Sequence, residues 1–310
     1  MIVAGRIVVV GSLNVDLVVG VDRLPAPGQT VAGRDFAVIP GGKGANQACA
    51  AARLGGEVSM IGRVGEDAHG ELLRQSLASA GVDVSHVLSD ARAATGVALI
   101  TVERSGQNDI VIVPGANGAF TVEELERGQE QLDSAAVVLL QLEVPLPTVQ
   151  AAARRARRAG ATVILDPAPA APLPDDLLRD IDYLTPNETE LAALVGGARP
   201  EGDAEAARQA RELIGRGARA VVVKRGERGA LLVVAGGETS WPALSVTAVD
   251  ATAAGDAWNG AFAFALASGS PPAVAGRLAT AAAAVSVTRR GAQPSMPTLA
   301  EVEALMRERS

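Results

Sequence analysis

Between Asp250 and Gly260 the chain reads Asp-Ala-Thr-Ala-Ala-Gly-Asp-Ala-Trp-Asn-Gly. The small residues Ala253, Ala254 and Gly255 precede the carboxylate of Asp256, and an apolar helical pattern follows through Ala261, Phe262, Ala265 and Leu266. This spacing predicts a tight turn feeding a helix N-terminus. The first backbone N–H groups of a helix have no partner inside it and favour an anion. Gly255 lets the backbone come close to a ligand. Asp256 is then a base beside an anion-binding turn, which suits transfer of a phosphoryl group to a hydroxyl. The carboxylate takes the hydroxyl proton while the N–H groups stabilise charge on the moving group.

Among 28 lysines and arginines only two are lysines, Lys43 and Lys224. Both lie beside glycines, in Pro40-Gly-Gly-Lys-Gly-Ala-Asn-Gln-Ala48 and in Val221-Val-Val-Lys-Arg-Gly-Glu-Arg-Gly229. In an arginine-rich chain, lysine at these two places suggests that a compact ammonium is needed there.

Elements must position these groups. Buried-strand patterns recur at 6–10, 58–61, 137–140, 162–165, 181–184 and 220–223, with helical patterns at 44–54, 70–80, 123–132, 148–159 and 204–215. Such alternation implies a parallel sheet covered on both faces. Asn14 and Asp16, Gln141 and Glu143, Asp166, Asn187 and Glu190, and Lys224 and Gly226 each fall just past the carboxyl end of an expected strand, where open α/β sheets bind ligands. Asp166 reads as a structural strand-end carboxylate, and Asn187 reads as a cap for the helix that follows. Residues from about 14 to 40 and about 93 to 114 break the rhythm with short alternating strands and turns. Together they form an expected β-sheet flap over one end of the main sheet, able to exclude water.

Composition narrows the partners. A net charge of −7 argues against nucleic acid or an anionic membrane. The single cysteine, Cys49, has no intrachain disulfide partner and lies in an Ala-rich helical stretch, so it is expected in the core and the chain in the cytoplasm. No signal peptide pattern opens the chain, and no apolar run reaches the ~18 residues of a membrane span. Two histidines, His69 and His86, and no cysteine cluster make a zinc site improbable. The P-loop, the Rossmann glycine fingerprint and the protein-kinase motif set are all absent.

The chain resembles the ribokinase-like (phosphofructokinase B-type) carbohydrate kinases. The resemblance is carried by Gly11-Ser-Leu-Asn-Val-Asp16, Gly41-Gly-Lys-Gly-Ala-Asn-Gln47, Thr95-Gly-Val-Ala98, Pro114-Gly-Ala-Asn117, Gln141-Leu-Glu143, Asp166-Pro-Ala-Pro169, Thr185-Pro-Asn-Glu-Thr-Glu190, the Asp256 turn and Thr288-Arg-Arg-Gly-Ala-Gln-Pro-Ser295. It implies one kinase domain over 1–310, a three-layer α/β/α fold with a mainly parallel sheet, and a small β-sheet lid from inserts at about 14–40 and 93–114. It also implies ATP-dependent phosphorylation of D-ribose at the 5-hydroxyl. Alternatives are a relative acting on deoxyribose, fructose or adenosine and, in another class, a non-catalytic sugar-binding regulatory protein.

By the same resemblance Asn14, Asp16, Gly42, Lys43, Asn46, Glu143 and Asp256 match sugar-binding positions. Asp256 matches the catalytic base, and Ala253, Ala254 and Gly255 match the anion hole. Asn187, Lys224, Gly226, Gly229, Gly255 and Thr280 match ATP-binding positions. Asn187 and Glu190 match an element organising magnesium and phosphates through water. Asp250, Thr252, Ser286, Arg289, Gly291 and Ser295 match a potassium site. The chain departs from the pattern at Ala251, at Lys224-Arg225 and at Thr280, which bears on nucleotide preference. The exposed strand edges of a lid would suit pairing with a second copy, so a homodimer is expected.

Overall fold

Ile7–Val10 is apolar throughout and every side chain is buried, as a strand covered on both faces requires. The computed structural model describes residues 5–309. Its strands are β1 (Ile7–Val10), β2 (Asn14–Val21), β3 (Gly33–Gly41), β4 (Val58–Gly65), β5 (Val82–Asp90), β6 (Gly96–Glu103), β7 (Asn108–Val113), β8 (Val137–Leu140), β9 (Thr162–Leu165), β10 (Tyr183–Leu184), β11 (Ala220–Lys224), β12 (Ala230–Val234) and β13 (Gly237–Trp241).

Nine strands form the main sheet in the order β13-β12-β11-β10-β9-β8-β1-β4-β5. All pairings from β11 through β5 are parallel, and the hairpin strands β12 and β13 close one edge antiparallel. The two-residue period of a strand divides the core. Ile7, Val9, Val137 and Leu139 pack with Ala45, Ala48, Leu73, Phe262 and Ala279 on one face. Val8, Val10, Val138 and Leu140 pack with Val149, Ala152, Leu191 and Ala210 on the other. Helices Lys43–Arg53, Ala68–Ser79, Ala254–Ala267 and Pro272–Ser286 supply the first layer, and helices Leu146–Ala159, Glu188–Val195 and Asp203–Gly215 the second. The fold is therefore a three-layer α/β/α sandwich. Cys49 is buried in the first layer, where burial pushes its thiol up to about 11.

Local expectations hold with three larger shifts, of which the first is that the strand expected at 58–61 runs on to Gly65. The helix expected over 123–132 is broken into Val122–Leu125, a 3₁₀ turn at Glu126–Gly128 and Gln129–Asp133. Gly128 packs tightly there, since a Cβ on it would lie 2.6 Å from Ile61 Cδ1. The strand expected at 181–184 keeps only Tyr183 and Leu184.

A separate four-stranded sheet has the order β3-β2-β6-β7. β2 pairs β3 antiparallel and β6 parallel, placing Asn14 between Gly41 and Gly96. One side of this sheet carries exposed Phe36, Val38, Leu99 and Val111, and the other carries exposed Ile110 and Ile112. No helix among the described residues is long and apolar enough to cross a membrane.

Candidate active site

The helix Ala254–Ala267 begins from Ala253, which is left-handed with φ 58°. A non-glycine residue holds that conformation at a strain of about 1 kcal/mol or more, so packing imposes the turn. Ala254 N–H donates to Ala251 O at 3.2 Å. By helix geometry the amides of Gly255 and Asp256 then have no helical acceptor. A Cβ on Gly255 would stand 3.3 Å from Lys224 Nζ, so that ammonium lies against the turn.

Asp256 is buried in the first turn of the helix. Its Oδ2 accepts from Asn46 Nδ2 and its Oδ1 from Gln47 Nε2, both at 3.0 Å. Burial pushes its carboxyl up to about 6, with Lys43 and the two amides opposing and Asp166 reinforcing the rise. A base titrating near neutrality matches the task of taking a hydroxyl proton.

Lys43 starts the helix Lys43–Arg53, where the helix dipole disfavours a cation. Burial also works against its charge. The carboxylates of Asp256, Asp166, Glu143 and Glu190 outweigh both and hold it above its ordinary value. Its placement depends on Gly42, whose φ is 89° and whose added Cβ would meet Asn14 N at 2.6 Å. Glu143 Oε2 receives Lys43 N–H at 3.1 Å and also the hydroxyl of Ser12. Asn14 Nδ2 reaches the same oxygen at 3.5 Å. Burial, then the neighbouring Glu143 and Asp256, push Asp16 up to about 7. Asn14, Asp16, Gly42, Lys43, Asn46, Glu143 and Asp256 thus converge on one site. Within it the buried Asn46 Oδ1 has no protein partner, an acceptor suited to a ligand hydroxyl.

Beyond the turn lie two cavities sharing Lys224 and Gly226. One, of about 570 Å³, is polar and includes Asn187, Arg199 and Arg228. The other, of about 560 Å³, runs from Gly255 and Gly229 past Thr280, Trp258, Leu244, Ala283 and Val287. The second reaches the turn of Asp256, so it is the one joined to the chemistry. Thr280 Oγ1 donates to Gly276 O at 2.8 Å and accepts from Trp258 Nε1 at 3.3 Å. Arg225, in contrast, borders only the polar cavity and is largely buried, bonded to Arg228 O, Ala230 O and Ser240 Oγ and paired with Asp203 at 2.6 Å.

Asn187 and Glu190 form a reciprocal cap: Glu190 N–H donates to Asn187 Oδ1 and Asn187 N–H to Glu190 Oε2, both at 2.8 Å. This leaves Glu190 Oε1 available, and burial raises the pKa of its carboxyl. No group of three or more His, Cys, Asp or Glu side chains among the described residues is placed to hold a metal ion. Asp250 ties two loops together, accepting from Thr252 N and Gly291 N at 2.9 Å each. Despite partial burial, those hydrogen bonds hold its carboxyl below the usual range. Ser286 and Ser295 are fully buried in the adjoining segment, while Arg289 turns to Glu301.

Four residues enter the site that the motifs assigned no role. Asp166, expected to be structural, instead pairs with Lys224 Nζ at 2.9 Å and accepts from Gln47 at 3.0 Å. Gln47 and Gln141 lie behind Asp256. Asn117 fixes the crossing into β2, bonding Leu13 N, Leu13 O and Asn14 Oδ1. Each stands inside a glycine-rich or strand-end motif, a signal of proximity but not of partner.

A three-layer α/β/α sandwich with a smaller sheet, carrying a buried carboxylate at a helix N-terminus between a polar pocket and an elongated cavity, defines a small-molecule phosphotransferase architecture. Residues 4–299 match the family model described as pfkB family carbohydrate kinase, and the chain belongs to that family. It is 40% identical over 304 residues to the ribokinase of Bacillus subtilis, covering 97% of this chain and 99% of that one. It is 37% identical over 294 residues to the deoxyribokinase of Salmonella typhi, covering 94% and 96%. The structure of Arabidopsis thaliana ribokinase complexed with ribose and ATP superposes with a TM-score of 0.93 at 37% identity, covering 98% of this chain and 99% of that chain.

Proposed function

We propose that this chain transfers the γ-phosphoryl group of ATP to the 5-hydroxyl of D-ribose, giving D-ribose 5-phosphate and ADP. The observation that carries the reading is Asp256, buried in the first turn of its helix and held by Asn46 and Gln47. The similarity to ribokinases over nearly the whole chain, and to a ribokinase with ribose and ATP bound, supports the choice of sugar and donor. Asn14, Asp16, Lys43, Asn46 and Glu143 hold the sugar hydroxyls. Carboxylates and amides are apt partners for a polyol, accepting from and donating to each hydroxyl.

Asp256 accepts the 5-hydroxyl proton, and the oxygen attacks the phosphorus in line as the bond to ADP breaks. The turn 253–255 forms the anion hole, with the amides of Gly255 and Asp256 as its free donors. Lys224, against Gly255, adds a positive charge. The nucleotide lies along the cavity past Gly226, Gly229 and Thr280. The four-stranded sheet acts as a lid that keeps water from the phosphoryl group.

Magnesium neutralises phosphate charge when bound, and Glu190 with Asn187 suits it. One free carboxylate oxygen beside a cap, without an all-protein cage, fits an ion that keeps several waters. Potassium adds charge stabilisation when bound. Asp250, Thr252, Ser286, Arg289, Gly291 and Ser295 bring carboxylate and carbonyl oxygens from two adjoining loops, a donor chemistry that fits a monovalent cation. Pairing of two copies through the lid would cover Phe36, Leu99 and Val111, whose exposure on one side of the sheet otherwise invites association.

The test is ADP formation by purified protein with magnesium-ATP and D-ribose, in potassium and in sodium, beside deoxyribose, fructose and adenosine. Turnover is expected to be highest with ribose and higher in potassium. Faster turnover of another acceptor would replace ribose, and sugar binding without ADP formation would favour a regulatory role. Light scattering is expected to give twice the chain mass of 31.4 kDa; a monomer would reject the lid-mediated dimer.

A further inference from the structure

Gln47 and Gln141 are fully buried against the carboxylates of the site. A primary amide has two N–H donors and one carbonyl acceptor. Gln47 Nε2 directs its hydrogens to two different carboxylates, Asp256 Oδ1 and Asp166 Oδ2, each 3.0 Å away. Gln47 Oε1 accepts from Gln141 Nε2 at 2.7 Å. That third bond fixes the orientation, because a flipped amide would turn its carbonyl toward both carboxylates and its hydrogens toward another donor. Gln141 is itself seated against Gly11, where a Cβ would fall 1.9 Å from Gln141 Oε1. Asp166 Oδ1 in turn accepts from Lys224 Nζ at 2.9 Å, beside the anion-binding turn. The chain of contacts runs from Gln141 through Gln47 to Asp256, with a branch through Asp166 to Lys224.

We propose that Gln47 is a positioning residue that orients Asp256 for proton transfer and ties it to the Asp166–Lys224 pair at the nucleotide end. This rests on the reading of Asp256 as the base of a sugar kinase. Gln47 is the neutral donor that bridges the two carboxylates directly, beside the charges of Lys43 and Lys224. Removing its amide takes a donor from Asp256 and makes it harder to ionise. Removing the charge of Asp166 makes Asp256 easier to ionise. Lys43 favours the ionised form, while Asp16 and Glu143, the other carboxylates of the cluster, share that ammonium. A residue that only fills space would produce no such opposed effects.

The experiment compares kcat and KM for ribose from about pH 5 to about pH 9 in wild type, Gln47→Leu, Gln141→Leu, Asp166→Asn and Asp256→Asn. Gln47→Leu is expected to lose about 10- to 100-fold in kcat, the rate equivalent of one charge-assisted hydrogen bond. Its KM for ribose should stay within about 3-fold, and the acid limb of its kcat profile should move to higher pH. Gln141→Leu should move the limb the same way by less, and Asp166→Asn should move it to lower pH. If Gln47→Leu does not fold, the opposed shifts of Gln141→Leu and Asp166→Asn decide the matter. An active wild type and inactive Asp256→Asn, with an unmoved limb in Gln47→Leu or shifts of one sign throughout, overturn the role of Gln47 alone. An inactive wild type, or a fully active Asp256→Asn, removes the base reading and this proposal with it.

Discussion

The two ends of the cleft are built on different physics. Around Asp256 the walls are ionic and polar: Asp16, Lys43, Asn46 and Glu143 converge, and several of their bonds join residues 100 or more positions apart. Past Gly255 the cavity is walled by Leu244, Val246, Ala283, Val287 and the indole of Trp258. Thr280, the polar side chain deep in that wall, already has its hydroxyl engaged by Gly276 and Trp258. Polar walls fix direction, because a buried hydrogen-bonding group left unmatched is costly. Apolar walls give contact area and exclude water, but discriminate weakly between flat rings of similar size. The difference implies a strict choice of acceptor and a lenient choice of base.

The strongest challenge to that contrast is Asp256→Asn. The variant should keep its fold by circular dichroism and lose at least about 10²-fold in kcat; near-normal ADP formation would end the assignment of Asp256 as the base. Next is Lys43→Met, which strips the shared ammonium from several carboxylates. It should raise KM for ribose by about 10- to 100-fold and leave KM for ATP nearly unchanged. An equal rise in both would mean that the two ends are not separable.

At the other end, Ala283→Leu narrows the cavity. Overpacking of about 1–2 kcal/mol should raise KM for ATP by about 10-fold while ribose is unaffected. Binding can be read directly, since the chain has two tryptophans, Trp258 on the cavity wall and Trp241 with its ring 6.1 Å from that of Trp258. Their fluorescence should respond to ATP more than to ribose. With GTP replacing ATP, kcat/KM should fall by no more than about 10-fold; a much larger loss would show base readout that the apolar wall does not supply.

The smallest expected effect concerns stability. Asp16 is pushed up to about 7 by burial, Glu143 and Asp256. Its ionised form therefore opposes folding. The penalty is absent below the unfolded value near 4, grows as pH rises, and is complete above about 7. Asp16→Asn should raise the melting temperature by about 2 °C at alkaline pH, give no gain at about pH 4, and weaken ribose binding. A gain independent of pH would place the effect elsewhere.

Much of the fold was legible because its signals are local and periodic. The apolar runs at β1, β8 and β9 match the observed bounds within a residue, and Asn187 with Glu190 forms the expected cap. The break at Gly128 was not legible, because it answers to Ile61, far away in the chain. Asp166 could not be told from a solvated strand-end carboxylate, since its partners Lys224 and Gln47 lie 58 and 119 positions away. Trp258 was passed over for a similar reason: an aromatic on a helix is core until the neighbouring loops show that one edge faces a cavity.

By itself the sequence determined the strand–helix alternation, the tight turn that opens the Asp256 helix and the chemical types gathered at strand ends. Each of these depends on backbone hydrogen bonding and side-chain period over a few residues. Only the tertiary structure decided which groups share a proton's neighbourhood. The raised pKa of Asp256, the crowded field around Lys43 and the amide of Gln47 between two carboxylates depend on burial and distance. Those quantities exist only once segments remote in sequence are packed against one another.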